Sequence, residues 1–292
     1  MDLATLGALC ALGSAVAWAL TSLLVRSLAS RFGTVAINAA RTTLCAVLVA
    51  AWTAAVSDFH GLTVLSGQSL LLLFVSIVTA IAIGDTIFFE STRMLGLGRA
   101  MTLSMSYPVV AAALAALLLD EQITPQIAVG GLLTLGGLAL VVGARTESAE
   151  GHRAGLGILA ACGAAVAWGV SVVALRVPLA EIDALTAQLV RLPLAAMLLW
   201  ALPWSWRDVP ALARGGTAVV VRLGVLSVLT AASSVMYVLS IKHAGVAVAT
   251  VLSSTAPLFA VPLGVVFLGE RLPPVALVGA GVAVIGVVVL KL

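Results

Sequence analysis

Apolar residues run along this chain in stretches of about 20, separated by short polar connections. Wound as a helix, a stretch of that length spans the hydrocarbon layer of a bilayer. The pattern predicts ten spans, at 3–28, 33–56, 69–92, 100–119, 126–144, 155–179, 184–202, 217–241, 246–268 and 275–292. The most polar connection, Arg145-Thr146-Glu147-Ser148-Ala149-Glu150-Gly151-His152-Arg153, falls at the middle. It divides the chain into a first five-span unit (residues 1–145), a linker (146–153) and a second five-span unit (154–292).

The two units say the same thing. Gly7 to Trp18 ends Ala15-Val16-Ala17-Trp18 and returns 150 positions later as Gly157 to Trp168, ending Ala165-Val166-Ala167-Trp168. Arg26 and Arg41 return as Arg176 and Arg191 at the same spacing. From the third span onward the spacing is 149, matching Ser91, Gly96, Ser104, Pro108, Glu121 and Gly137 to Ser240, Gly245, Ser253, Pro257, Glu270 and Gly286. An odd number of spans per repeat forces the copies to run in opposite senses through the membrane. A substrate site is then expected between them, near the midplane.

Composition settles the environment. The 292 residues are 62% hydrophobic and 9% charged, with a mean hydropathy of +1.21. Soluble domains are near half apolar and a quarter charged, so this is an integral membrane protein. The net charge of +3 accordingly reports orientation, not nucleic-acid binding. Most Arg residues collect in connections on one side, while Arg176, Lys242 and Lys291 lie on the other. By the positive-inside rule the richer side is cytoplasmic and both termini face outward. The first apolar stretch is too long for a signal-peptide core and reads as a span. Cys10, Cys45 and Cys162 lie in apolar segments without CxxC spacing and read as small packing residues. No metal motif and no GxxxxGK[ST] phosphate loop is present, so neither a metal nor a nucleotide cofactor is expected.

The polar residues inside the spans are the candidates for chemistry. Trp18 has Ser14 and Thr21 on its helix face, and Trp168 has Ser171. They read either as aromatic cavity walls or as packing residues. Arg41 and Arg191 follow Asn38 and Gln188 by three positions; each could bind a substrate carboxylate or snorkel to the headgroups. Asp85, deep in the third span, is the candidate coupling residue, with an ion pair to Arg41 or Arg93 as the alternative. Phe88, Ser104, Tyr107, Tyr237, Ser253 and Ser254 complete the predicted cavity. Pro108 and Pro257 are expected to kink the fourth and ninth spans beside those serines, as hinges or static bends. Glu90 and Arg93 read as a helix-end ion pair, and Glu121 and Glu270 as turn residues. The glycines of the fifth and tenth spans predict a packed scaffold or a dimer face.

Three of these features resemble the drug/metabolite transporter superfamily, in particular its EamA-domain exporters. They are the repeated Ala-Val-Ala-Trp helix, the Pro108 to Asp120-Glu121 and Pro257 to Gly269-Glu270 helices, and the Gly-rich closing helices. Asp120 stands where the family pattern usually has Gly. Within the superfamily the chain looks most like amino-acid and metabolite exporters of the YddG type. The resemblance implies an all-α fold of ten transmembrane helices in two inverted five-helix repeats. It implies a secondary transporter exporting small amphipathic metabolites, amino acids above all and aromatic ones among them, by alternating access. It further implies a multi-pass protein of the bacterial cytoplasmic membrane, as a monomer or weak homodimer, with a small-molecule substrate and surrounding lipid as its partners. A broad-specificity drug exporter, a channel or a membrane-embedded lipid-modifying enzyme are the alternatives.

Overall fold

The structure, a computed structural model, describes residues 2–56, 60–143, 152–268 and 274–289, and its regular elements are all helical. The first half contains α1 (Leu3–Ala29), α2 (Thr34–Val56), a 3₁₀ turn (His60–Leu62) and α3 (Gly67–Ile77). A π-helical segment (Val78–Asp85) then leads directly into α4 (Thr86–Leu95), followed by α5 (Leu97–Ser104), α6 (Tyr107–Leu118) and α7 (Pro125–Gly143). The second half contains α8 (His152–Arg176), α9 (Pro178–Glu181), α10 (Ala184–Trp200), α11 (Pro203–Arg207) and α12 (Val209–Ala213). It closes with α13 (Gly216–Ser253), α14 (Ala256–Leu268) and α15 (Pro274–Val289). Residues 146–151 of the expected linker, with Glu270 and Lys291, lie outside the described residues.

Five helical stretches among the described residues are long and apolar enough to cross a membrane: Leu3–Ala29, Thr34–Val56, Gly67–Leu95, Ala154–Glu181 and Gly216–Ser253. Ala184–Trp200 with Pro203–Leu212, bent by 74°, makes a sixth if taken as one span. The expected count of ten is therefore reached only in part. One reason is that the fourth expected span is two helices, α5 and α6.

That break corrects the reading of the prolines. Pro108 is the second residue of α6 and Pro257 the second of α14, so each opens a new helix instead of kinking one. The first turn has no intrahelical use for the missing N–H, and proline's fixed φ suits it. Gly96 (φ 83°) and Gly245 (φ 79°) start both broken segments in a backbone conformation that only glycine adopts cheaply. α11 and α12 were not expected; Asp208 between them accepts a hydrogen bond from the Gly33 N–H at 2.6 Å, tying this connection to the start of α2.

Packing exchanges partners between the halves. α1 lies along α13 and α14 of the second half, while α8 lies along α3, the π-helical segment, α4 and α6 of the first. α2 packs on α10, and α7 on α15. Glycines allow the close approaches, and they do so in equivalent pairs. A Cβ on Gly137 would sit 2.5 Å from the Gly279 carbonyl oxygen, and one on Gly286 would sit 2.7 Å from the Gly130 carbonyl oxygen. The glycines of the fifth and tenth spans thus face one another across α7 and α15. Of the cysteines, Cys45 is buried, but Cys162 stands exposed on α8 and is not an interior packing residue.

Candidate functional site

A cavity of about 830 Å³, counted out to its open side, lies where α1, α2, α8, α10, α13 and the π-helical segment converge. Of the residues singled out in the sequence, Ser14, Trp18, Arg41, Asp85, Tyr107, Trp168, Ser171, Gln188, Arg191, Tyr237 and Ser253 line it. Both halves contribute, and each contributes an arginine and a tryptophan.

One side is a neutral, fully connected network. Arg41 is completely buried and pairs with Asp85, which excludes snorkelling. The carbonyl oxygen of the Asn38 side chain accepts from Arg41 Nε at 2.9 Å and from Nη2 at 2.8 Å. Arg41 Nη1 donates to Thr230 Oγ1 of α13 at 3.3 Å. Its guanidinium carbon lies 4.9 Å from the ring centre of Phe89 and 5.8 Å from that of Trp18, close enough for cation–π attraction. A buried ion pair with these extra hydrogen bonds offsets much of its desolvation cost.

The π-helical segment makes that network reachable. Wider winding loosens the i to i+4 ladder, and loosened carbonyls accept from side chains. The Ile81 carbonyl accepts from Asn38 Nδ2 at 3.1 Å, and the Ala80 carbonyl accepts from Trp168 Nε1 at 3.2 Å. Trp168 Nε1 also donates to Asp85 Oδ1 at 3.0 Å. Gly84 leaves room for this approach: a Cβ there would lie 2.6 Å from two atoms of the Trp168 ring. The aromatic groups cohere. Trp18 and Trp168 meet edge to face at 5.8 Å, and Tyr107 meets Trp168 at 6.0 Å. Tyr237 donates to the Tyr107 hydroxyl at 3.2 Å, and Tyr107 to the Thr250 carbonyl at 3.2 Å, both bonds crossing between halves.

The second arginine is held differently. Arg191 is 6% exposed, so it too is interior. Its Nη1 donates to Gln188 Oε1 at 3.1 Å, and Gln188 Nε2 donates to the Ser234 carbonyl at 2.9 Å. Its Nε, buried, has no hydrogen-bond partner. No carboxylate among the described residues pairs with it.

The remaining candidates sit behind the wall. Phe88 is fully buried against Trp18 and Trp168, and Asn38 orients Arg41 without reaching the cavity. Ser104 and Ser254 spend their hydroxyls on carbonyls of their own helices, and the Thr21 hydroxyl is buried without a partner. Sequence reasoning missed Ala80, Ile81, Met105, Val172, Leu175, Thr230, Ser233 and Ser234, which also line the cavity. The signal for Thr230 and Ser233 was their helical spacing from Tyr237, which puts them on one face of α13. Glu90 and Arg93 pair at 3.0 Å, as expected, and Glu121 lies 3.5 Å from Arg176. Among the described residues no three His, Cys, Asp or Glu side chains gather as a metal site would require.

Comparison with known proteins bears on the same halves. The EamA-like transporter family model matches twice, over residues 5–143 and 155–292. A curated relative, an uncharacterized protein of Pseudomonas aeruginosa, is 32% identical over 139 residues, 48% of this chain and 46% of its own. The match therefore spans about half the length of that relative. A solved structure described only as the crystal structure of a protein superimposes with a TM-score of 0.73 at 18% identity, covering 98% of both chains. At that identity the likeness speaks for the fold alone.

Proposed function

Because the chain belongs to the EamA-like transporter family, whose members carry drug- and metabolite-type solutes, we propose that it is a secondary active exporter of small amphipathic metabolites, with amino acids, aromatic ones included, as the leading substrates. It is an integral, multi-pass membrane protein. The observation carrying the proposal is the cavity shared by the two halves, with two tryptophans for an apolar body and buried polar groups to orient it. In this reading ten helical passes form two inverted repeats of the bacterial cytoplasmic membrane, as in YddG-type exporters. Rocking one half against the other alternates access to the cavity. The broken segments at Gly96–Tyr107 and Gly245–Ala256 flank the cavity and supply the deformable elements.

Asp85 is the proposed coupling residue, since its protonation would release Arg41 and Trp168 together. The test is counterflow in sealed proteoliposomes over the twenty amino acids and a panel of small drugs. A transporter accelerates uptake of label when unlabelled substrate is inside; a pore does not. Chemical conversion of a lipid without counterflow would turn the reading toward an enzyme. Asp85→Asn with unchanged exchange and unchanged pH dependence would remove the coupling role.

A further inference from the structure

The two cavity arginines are related by the repeat, yet only one has a carboxylate. Asp85 neutralises Arg41, and the position equivalent to Asp85 in the second half is Ser234. Arg191 keeps its single anchor to Gln188, and its buried Nε is unpartnered. Asp85 acts on Arg191 only at a distance, and its oxygens are bonded elsewhere. A buried guanidinium without a directly paired carboxylate is expensive, and a planar fork of donors matches a carboxylate. We propose that Arg191 is the anchor for a ligand carboxylate, so that the substrate supplies the acid that the second repeat lacks. The inference rests on the reading of this cavity as the substrate site.

The rest of the lining sharpens the ligand. Trp18, Trp168, Met105, Val172 and Leu175 give the body of the molecule an apolar and aromatic wall. Asp85 is the sole acid among the lining residues, and both of its oxygens are engaged, Oδ2 by Arg41 and Oδ1 by Trp168. A ligand ammonium therefore finds no free carboxylate, whereas a ligand carboxylate finds a free guanidinium edge. The site ranks ligands by the acid they carry, and the amine is dispensable. An aromatic or branched carboxylate with no amine binds at least as well as the amino acid of the same shape.

The test uses the full chain in detergent for binding, by quenching of tryptophan emission, and in proteoliposomes for exchange. Three matched probes are 3-phenylpropanoate, L-phenylalanine and 2-phenylethylamine. The first two are expected to bind and the amine to bind at least tenfold more weakly. Arg191→Gln weakens both carboxylates at least tenfold, and Arg191→Lys restores part of that loss. Ser234→Asp, placed beside Gln188, supplies an internal acid and weakens carboxylate binding with Arg191 intact. Unfolding midpoints near the native value for Ser234→Asp and Arg191→Lys keep the result from being a folding defect. Equal binding of the amine and 3-phenylpropanoate, carboxylate binding to Arg191→Gln within twofold of native, or no carboxylate binding at all overturns the proposal. Arg191-dependent binding without exchange would uphold this site and defeat the transport reading. Exchange that ignores both Arg191 and the carboxylate would do the reverse.

Discussion

Val78–Asp85 and Ser227–Ser234 occupy equivalent places in the two repeats, and they are built differently. The first is π-helical, carries Asp85 and turns two carbonyls toward side chains of other helices. The second is an uninterrupted part of α13 and contributes hydroxyls, with Thr230 held to the Leu226 carbonyl at 2.8 Å and Ser233 to the Ser14 carbonyl at 3.1 Å. One repeat thus closes its arginine within the protein and the other leaves it open. The frame is conservative where the halves hold one another, as at Gly137 and Gly286. It departs at the cavity. At these equivalent positions the two copies of the duplicated scaffold differ in winding and in one acid.

Removing the acid should have the largest effect. Asp85→Ala leaves Arg41 buried and charged with only neutral partners. It should cost about 3–5 kcal/mol in an unfolding titration in mixed micelles. Ser234→Ala removes a hydroxyl that bonds a carbonyl of its own helix and the Cys45 thiol, and should cost about 1 kcal/mol in the same titration. Equal costs would mean that the halves are energetically alike despite their chemistry. Next is the glycine beneath Trp168. Gly84→Ala forces the indole off Asp85 and should cost about 1–3 kcal/mol by overpacking, with a shift in tryptophan emission. Its counterpart Ser233→Ala adds no bulk and should lose no more than about 1 kcal/mol, the worth of its bonds to Ser14.

How much of this was legible follows from which forces leave a mark in a single sequence. The duplication, the positions of five spans (six with the bent pair), the paired arginines and tryptophans, and Asp85 as an interior acid are all statements about residue type and spacing. The winding of residues 78–85 was not legible, because Val-Thr-Ala-Ile-Ala-Ile-Gly-Asp has the apolar character of its neighbours. Its π character depends on tertiary partners, Asn38 and Trp168. Phe88 and Thr21 were misplaced on the cavity wall for a related reason. Residue type and spacing put them inside the spans, but which interior side chains reach the cavity depends on packing. The prolines were read as interior because the apolar run continues through Met105-Ser106, which hides the break.

The smallest effect expected concerns the starts of α2 and α10. Asp183 caps α10, accepting from the Leu185 and Thr186 N–H groups at 2.7 and 3.0 Å, while its counterpart Gly33 has no side chain to offer. Partial burial alone would raise the Asp183 carboxyl, but the Thr186 bonds and the Leu185 N–H outweigh it and hold it below its ordinary value. Its contribution is therefore present above the ordinary carboxylate range and lost as pH falls through the lowered value. Asp183→Ala should cost about 1 kcal/mol at neutral pH, with the difference from native shrinking in acid melts.

The exchange of partners between the halves also has a consequence in time. α1 precedes α13 and α14 in the chain, and so in synthesis, by about 190 residues or more, yet it finds its main neighbours in them. No half can finish assembling before the other exists. Early helices must wait in the lipid as loosely associated hairpins, exposed to proteolysis and wrong pairing, until the late ones arrive. A duplicated chain of this kind behaves in biogenesis like an obligate dimer whose subunits happen to be covalently joined.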